Sequence, residues 1–299
     1  MTVRYLEIFT EVCRHMSMSK AARALMISQS SVSQAVKALE QEYDVLLFER
    51  LNHTLYLTPA GEKLLYLATQ VLKSIDKLNA AMLDAPQTLN IGSCNTVGAS
   101  LLYPLIAGFK KQYPKVHVSA EISNTQTLTE KILNGRLDLA IIPETRRQED
   151  FNYLPFFEDD IAVICHPAHP LAGQTVQLAA LQQEVFVGRE TGSATETLLK
   201  NIFDKHGFTL KIDCVCNSTA SVKQAVRHKM GIAVISRYLV KRELAEHTLA
   251  CINVSGNVFT RRFALIYHKD KLLTGEFTDF TAFCRQLGQH GLENLIEDI

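Results

Sequence analysis

The feature that most constrains the fold lies between residues 17 and 39, where two short amphipathic segments meet at a tight turn. The first segment runs from about Ser19 to Leu25, and the Ser19 hydroxyl can accept a hydrogen bond from an unpaired amide of the first helical turn. The second follows Ser28, another candidate cap, and carries three apolar residues at spacings of four and three, the stripe of an amphipathic helix. These residues are Val32, Val36 and Leu39. The pattern predicts two short helices whose apolar stripes pack inward.

The polar face left on the second helix consists of short or flat hydrogen-bonding side chains with one cation and no acid. Its members are Gln29, Ser30, Ser33, Gln34 and Lys37. Such a face suits the major groove of DNA, where amides and hydroxyls pair with base edges and lysine pairs with guanine or phosphate. The formal net charge of the whole chain is zero, but the ionisable residues between Met18 and Leu39 are all basic. The pattern predicts a helix-turn-helix that binds DNA, with Ser19 as a further contact; the alternative is a plain solvent face.

Three motifs in order, AARALMISQSSVSQAVKALE, LLFER and LTPAGEKLL, are similar to the N-terminal domain of LysR-type transcriptional regulators. The resemblance implies a winged helix-turn-helix, a linker helix, and a two-lobed α/β effector domain like a type 2 periplasmic binding protein. It also implies a regulator that binds double-stranded promoter DNA as a dimer or tetramer and responds to a small molecule, with no cofactor and no metal. RNA polymerase is left open as a further partner.

The chain on either side of the helix-turn-helix predicts its support. Residues 3–15 have the apolar spacing of a bracing helix, and two strands, Val45 to Arg50 and Thr54 to Thr58, predict a wing. The wing residues placed to contact phosphates or the adjacent minor groove are Arg50, His53 and Thr54. For His53 the alternative is a loop histidine with no role, and phosphate contact through Arg50 is favoured over minor-groove insertion.

A long helix is predicted to begin at Thr58 and Pro59, because a hydroxyl cap followed by proline favours a helix start. It is predicted to reach about Asp84, and its apolar residues alternate at spacings of four and three, which is the seam of a two-stranded coiled coil. The seam consists of Leu64, Ala68, Val71, Ile75, Leu78 and Met82. This pattern predicts a dimer whose two recognition helices lie about 34 Å apart, in successive major grooves. The alternative to a dimer seam is a helix packed on its own domain. A hinge to the second region is predicted at residues 84–87.

From residue 88 onward the chain contains two units of strand, helix, strand, helix and strand, at 89–142 and 185–236. Buried strands that alternate with helices predict parallel sheets, and extended crossings near 157–165 and 263–268 predict two hinged lobes. The turns that follow the first two strands of each unit would meet at a cleft suited to a polar or anionic small molecule. The candidate effector-binding residues are Ser93, Asn95, Thr96, Asn124, Thr125, Arg189, Thr191, Ser193, Thr195 and Thr219.

The segments RETGSAT, NSTASVKQAV and MGIAVIS are similar to the second lobe of the LysR effector domain, where the same positions line the cleft. For any single serine or threonine the alternative is a plain helix cap, and Arg189 could pair with a ligand carboxylate or brace its own lobe.

Cys94 precedes a helix, where a thiol can have a lowered pKa and sense oxidants; the alternative is a small residue tolerated at a turn. Cys214 and Cys216 lack the second pair that a zinc site needs, which favours core packing.

Composition fits more than one globular domain, with 299 residues of which 47% are hydrophobic, and the odd number of seven scattered cysteines indicates reduced thiols. The expected domains are 1–58 for DNA binding, 59–87 for the linker and 88–299 for the effector, with lobe 1 at 88–160 plus 268–299 and lobe 2 at 161–267. No export signal and no apolar run of about 18 residues is present, which predicts a cytoplasmic protein without membrane contact. The sequence has no G-x-S-x-G elbow, P-loop or metal-ligand spacing, so an enzyme is the weaker hypothesis. A third hypothesis is a solute-binding or assembly protein.

Overall fold

The computed structural model describes residues 2–51, 54–82, 88–144, 147–256, 259–273 and 275–290. The N-terminal part packs three helices and a hairpin around one core. These elements are α1 (Val3–His15), α2 (Met18–Ala24), α3 (Gln29–Tyr43), β1 (Phe48–Leu51) and β2 (Thr54–Leu57). Leu6 and Phe9 of α1 share this core with the apolar stripe of α3, which is buried as predicted.

Serine residues cap both helices of the helix-turn-helix, but α2 is capped by a different serine from the predicted one. Ser17 accepts the capping hydrogen bond from an amide of the first turn at 3.3 Å, and Ser19 is exposed within that turn. The helix starts early because Met16, with a left-handed φ of 46°, ends α1 and turns the chain directly into α2. At α3 the Ser28 hydroxyl accepts from an amide of the first turn at 3.0 Å, which confirms the predicted cap.

The hairpin has the geometry of the predicted wing, with strands shorter than expected. β1 and β2 pair antiparallel, and the side chain of Leu55 is buried while that of Tyr56 is exposed. His53 lies outside the described residues.

The linker helix α4 (Pro59–Met82) begins where predicted, and the Thr58 hydroxyl accepts from the Gly61 amide at 3.0 Å. Its predicted seam divides into two halves. Leu64 and Ala68 pack on the N-terminal core, so the alternative of a helix packed on its own domain is correct for this half. The second half exposes its large apolar side chains Val71, Leu78 and Met82. None of the described helices is both long and apolar enough to cross a membrane.

The C-terminal part begins with lobe 1, in which a central strand is parallel to both of its neighbours. In chain order its elements are β3 (Thr88–Cys94), α5 (Asn95–Ser100), α6 (Leu102–Gln112), β4 (His117–Ser123), α7 (Thr125–Leu133) and β5 (Leu139–Pro143). This order follows the prediction, except that α5 lies in the segment predicted as a turn, ahead of the helix predicted near 101–113, which is α6.

The long strand β6 (Phe151–Cys165) crosses from lobe 1 to lobe 2. Lobe 2 consists of β7 (Thr175–Val176), β8 (Val185–Arg189), α8 (Ala194–Lys205), β9 (Lys211–Cys216), α9 (Thr219–Arg227), β10 (Ala233–Ser236), α10 (Lys241–Ala245) and β11 (Ala250–Val254). Strands β8 and β9 are parallel, whereas β10 and β11 run antiparallel to the end of β6. The sheets are therefore mixed, because the crossing strand enters them in the opposite direction.

The second crossing, β12 (Thr260–His268), returns to lobe 1 and is followed by α11 (Gly275–His290). It runs antiparallel to β5 and to the first part of β6, and Phe263 to Ile266 pack in the core of lobe 1. The predicted boundary at 267 assigned these residues to lobe 2. These residues belong to lobe 1 instead, because the pairing of β12 with β5 makes this strand part of the lobe 1 sheet.

Candidate DNA-binding face and effector cleft

The polar face predicted on α3 is presented to solvent along its length. The exposed side chains are Gln29, Ser30, Ser33, Gln34 and Lys37. The first acidic residue of the helix is Glu40, so no carboxylate lies among them. A helix with an exposed, acid-free polar face near its N-terminus suits entry into a DNA major groove.

A groove of about 880 Å³ separates the starts of α2 and α3 from the wing. It brings Ser19 and Gln29 of the helices together with Arg50 and Thr54 of the hairpin, and all four are exposed. Hydroxyl, amide and guanidinium groups on one concave surface match the contacts that proteins make to DNA backbones and base edges.

Turn residues of both lobes line the cleft between the lobes. Those that the sequence predicted are Asn95, Thr96, Asn124, Thr125, Arg189, Ser193 and Thr195. The structure places the other three candidates elsewhere: Ser93 is fully buried in β3 and donates to the Cys94 carbonyl, Thr191 is exposed, and Thr219 opens α9 away from the lining. The structure does not bring these three into the lining, because position after a strand does not fix the direction of the side chain, and effector binding by them stays a prediction from sequence.

The cleft also contains a charged residue that sequence reasoning missed, Arg261 of β12. Its side chain is 5% exposed and pairs with Asp159 of β6 at 2.8 Å. Its terminal nitrogens donate to the hydroxyls of Thr96 in lobe 1 at 3.1 Å and Thr195 in lobe 2 at 2.8 Å. One guanidinium group therefore joins both lobes. The sequence signal is the two-residue period of the strand, because Arg261 is in phase with buried Phe263.

The carboxylate of Asp159 is fully buried. One oxygen accepts from the Ser236 hydroxyl at 2.6 Å and the other accepts from Arg261 at 2.8 Å. Burial raises the pKa of Asp159, and the charge of Arg261 and the Ser236 hydrogen bond only partly offset that rise. Both of its oxygens are engaged, so this carboxylate is committed to holding Arg261.

The hydrogen bonds of Arg189 favour the interpretation in which this side chain braces its own lobe. Its Nε and Nη2 donate to the Glu190 carboxylate at 2.9 and 3.0 Å. Nε also donates to the Cys216 carbonyl at 3.2 Å and Nη2 to the Asn217 carbonyl at 3.4 Å. Arg189 therefore lines the cleft while its Nε and Nη2 donate to groups of lobe 2.

The cysteines behave as core residues. Burial raises the pKa of Cys94, which opposes the thiolate that an oxidant sensor needs. Cys214 and Cys216 lie with sulfur atoms 3.9 Å apart at the core of lobe 2. In the part of the chain that the structure describes, no three His, Cys, Asp or Glu side chains form a group that could hold a metal.

The two lobes meet across the mouth of the cleft. The Gln126 amide of α7 donates to the Gly192 carbonyl of lobe 2 at 3.5 Å. Gly192 has a φ of +87°, and a Cβ there would lie 3.0 Å from the side-chain oxygen of Gln126. The cavity between the lobes measures only about 20 Å³, which is room for about one water molecule. The structure therefore shows a closed cleft.

Replacing Gly192 with alanine is expected to destabilise the protein by about 1–2 kcal/mol from left-handed backbone strain and also to loosen the lobe contact. Gly173→Ala is the matched control, because its φ is +74° and a Cβ there would meet nothing within 4 Å. Thermal unfolding should report similar strain in both variants. Amide hydrogen exchange near Gln126 should accelerate only in Gly192→Ala; equal exchange in both variants would contradict the contact.

The linker helix is fixed to lobe 1 by buried polar and aromatic contacts. Lys73 of α4 lies 3.2 Å from Asp138, and the ring of Tyr66 stacks on His268 with centroids 3.5 Å apart. Asp138 also pairs with Lys271 at 2.6 Å, and both of these side chains are 5% exposed. The helix that carries the DNA-binding domain is therefore docked on the domain that contains the cleft.

This docking cluster should make the protein sensitive to acid. Burial raises the pKa of Asp138, but the charges of Lys73 and Lys271, with hydrogen bonds from Lys271 and the Asn90 amide, outweigh burial and lower it to about 2. Because the folded pKa is below the unfolded value, Asp138 contributes about 2–3 kcal/mol above pH 4, and this contribution is lost as the pH falls to about 2. Urea midpoints should fall more between pH 5 and pH 2.5 in the wild type than in Asp138→Asn; parallel falls would contradict the assignment.

Two family descriptions match the chain. "Bacterial regulatory helix-turn-helix protein, lysR family" matches residues 3–62, and "LysR substrate binding domain" matches residues 84–289. The RuBisCO operon transcriptional regulator of Allochromatium vinosum is 30% identical over 287 residues, which cover 93% of this chain and 95% of that protein.

Solved structures show the same architecture. The CcmR regulatory domain from Synechocystis, in complex with 2-PG, has a TM-score of 0.64 at 27% identity and covers 68% of this chain and 98% of its own. Full-length OxyR from Pseudomonas aeruginosa has a TM-score of 0.70 at 22% identity and covers 95% of both chains, a likeness of fold alone. With an N-terminal helix-turn-helix domain and a C-terminal effector-binding domain, the chain belongs to the LysR family of bacterial transcriptional regulators.

Proposed function

We propose that this regulator binds promoter DNA through α3 and the wing, and that a small polar or anionic molecule held between the lobes controls that binding. The observation that carries the proposal is the docking of α4 on lobe 1 through Lys73 and Asp138. This contact gives the cleft a direct structural connection to the helix that carries the exposed DNA-binding face.

The proposed DNA contacts divide by chemistry and position. Gln29, Ser33, Gln34 and Lys37 face the base edges of the major groove from α3, and Ser30 extends this face at the start of the helix. Ser19, Arg50 and Thr54 surround the groove next to the wing and suit phosphate oxygens. His53, at the wing tip, stays a prediction from sequence.

We also propose that the protein forms dimers through the second half of α4, and that effector domains pair further to give tetramers. Val71, Leu78 and Met82 are 42%, 62% and 79% exposed, although they occupy coiled-coil seam positions. Burial against the same seam of a second chain would remove this apolar surface from water. RNA polymerase is a further partner suggested only by the family resemblance.

The cleft is proposed to bind its ligand without converting it. The described residues that line it include hydroxyl and amide side chains but no histidine that could act as a general base. The similar CcmR regulatory domain was solved with 2-PG, which supports a small polar ligand here. A ligand that favours one arrangement of the lobes shifts its population, and α4 transmits the shift to the paired recognition helices.

Fluorescence anisotropy of the full-length protein with DNA from upstream of its own gene tests this function. We expect nanomolar binding that depends on sequence and falls steeply with salt. A panel of small carboxylates and inorganic oxyanions should contain a compound that shifts the affinity or the footprint. Weak binding that is indifferent to sequence would instead favour a solute-binding or enzymatic role for the cleft.

A further inference from the structure

The described cleft holds hydrogen-bond donors that have no acceptor. Arg261 has five N–H groups, and its bonds to Asp159, Thr96 and Thr195 use three of them. Each threonine accepts through its oxygen, and neither hydroxyl donates its own hydrogen to another described residue. The buried hydroxyl of Thr125 has no partner among the described residues either. Donors from both lobes therefore converge on one small space.

The carboxylates nearest to these donors are already engaged. Both oxygens of Asp159 accept hydrogen bonds, one from Ser236 and one from Arg261. The Glu190 carboxylate accepts two hydrogen bonds from Arg189. Buried donors that lack an acceptor cost free energy, so this space favours a molecule that supplies acceptors.

The small volume of the cleft cavity and its excess of hydrogen-bond donors together restrict the chemical class of the ligand. The cavity of about 20 Å³ holds about one water molecule when the lobes are closed. A compact ligand needs little opening, whereas a large ring would force the lobes apart. Sugars, amides and amino acids bring donors of their own, whereas every carboxylate oxygen of Asp159 and Glu190 already accepts a hydrogen bond within the protein. An oxyanion brings acceptors alone.

We propose that Arg261, Thr96 and Thr195 form an oxyanion seat that selects the effector of this regulator. The ligand class is a small oxyanion, either a free inorganic anion or the phosphate group of a small acid. This inference rests on the proposed function, because it assigns a ligand class to the same cleft. An anion held by both threonines joins lobe 1 to lobe 2, and this seat therefore also explains why the two lobes would close on the ligand.

Isothermal titration calorimetry of the full-length protein with sulfate, inorganic phosphate, nitrate and phosphoglycolate tests the ligand class. Glycerol and glycine are the neutral and zwitterionic comparisons. We expect saturable binding of at least one oxyanion and no binding of glycerol or glycine at the same concentration. Tighter binding of phosphoglycolate than of phosphate would identify a phosphorylated acid as the source, and the reverse order would identify a free anion.

Variants test the named residues. Thr96→Val with Thr195→Val keeps the side-chain shape and removes two hydroxyls, so we expect binding of that oxyanion to weaken about 100-fold, at about tenfold per lost hydrogen bond to a charged group. Arg261→Lys keeps the charge and loses the fork that reaches both threonines, and at least about tenfold weaker binding is expected. Arg262→Met is the matched control, because its side chain is 53% exposed and pairs with exposed Glu158.

Unchanged oxyanion affinity in a folded Thr96→Val and Thr195→Val variant would overturn the seat. If that variant does not fold, unchanged affinity in Arg261→Lys would overturn it. Preference for glycerol or glycine, or no binding of any oxyanion, would also overturn it. Such a failure is distinct from failure of the proposed function, because DNA binding is measured separately and without a ligand.

Discussion

Alanine at Gln29, Ser33 and Lys37 together is expected to lower the affinity for specific DNA about 1000-fold. All three side chains are exposed on α3, and their replacement leaves the buried stripe of that helix unchanged. A glutamine that pairs with adenine contributes about 1–3 kcal/mol, and the hydroxyl and lysine contacts add to it. A total of about 4 kcal/mol corresponds to about three decades in the dissociation constant.

Fluorescence anisotropy with the upstream DNA measures this loss, and circular dichroism checks that the fold is retained. The matched control is alanine at Gln112, Lys115 and Ser119, the same three residue types, all exposed in the effector domain. This control should bind DNA with wild-type affinity. An equal loss in both triple variants would show that α3 is not the DNA-contacting helix.

Asp138→Ala is expected to destabilise the effector domain by about 3–5 kcal/mol, because removal of one partner leaves a buried charge uncompensated. Lys271, with 5% of its side chain exposed, would lose its carboxylate partner and be left with the Gln70 side-chain oxygen at 3.5 Å, and the Asn90 amide would lose the acceptor that it contacts at 2.8 Å. Lys73 would lose its contact too, so α4 should detach from lobe 1 more readily.

Urea unfolding of the effector domain, followed by circular dichroism, measures the change for Asp138→Ala. Asp150→Ala provides the control, because Asp150 pairs with Lys269 at 2.9 Å where both side chains are about half exposed, at 54% and 47%. An exposed pair of this kind contributes at most about 1 kcal/mol. If the two variants lose the same stability, Asp138 is not the buried anchor of the linker helix.

Features that depend on near neighbours in the chain were predictable. The stripe of Val32, Val36 and Leu39 is buried as its spacing predicts, and Ser28 and Thr58 cap the helices that follow them. Each of these features involves residues within about two helical turns, so periodicity and capping chemistry are sufficient to predict them.

Local patterns were not sufficient where a side chain's direction or a helix's neighbour was set by distant residues. Ser93 lies in a segment whose composition is typical of a cleft turn, but its side chain is fully buried in β3. Leu64 and Ala68 fit a dimer seam, yet α1 supplies the surface that covers them. In both cases the local pattern allows two partners, and packing selects one.

Local spacing along the chain was enough to specify the helix-turn-helix, the linker helix and the two strand-helix units. The contacts of Arg261 with Thr96 and Thr195, and of Lys73 with Asp138, were visible only once the chain was folded. Arg261 and Thr96 are 165 residues apart, and Lys73 and Asp138 are 65 apart. Contacts at such separations depend on how β12 returns to lobe 1 and how α4 docks there, and no periodicity in the chain records either arrangement.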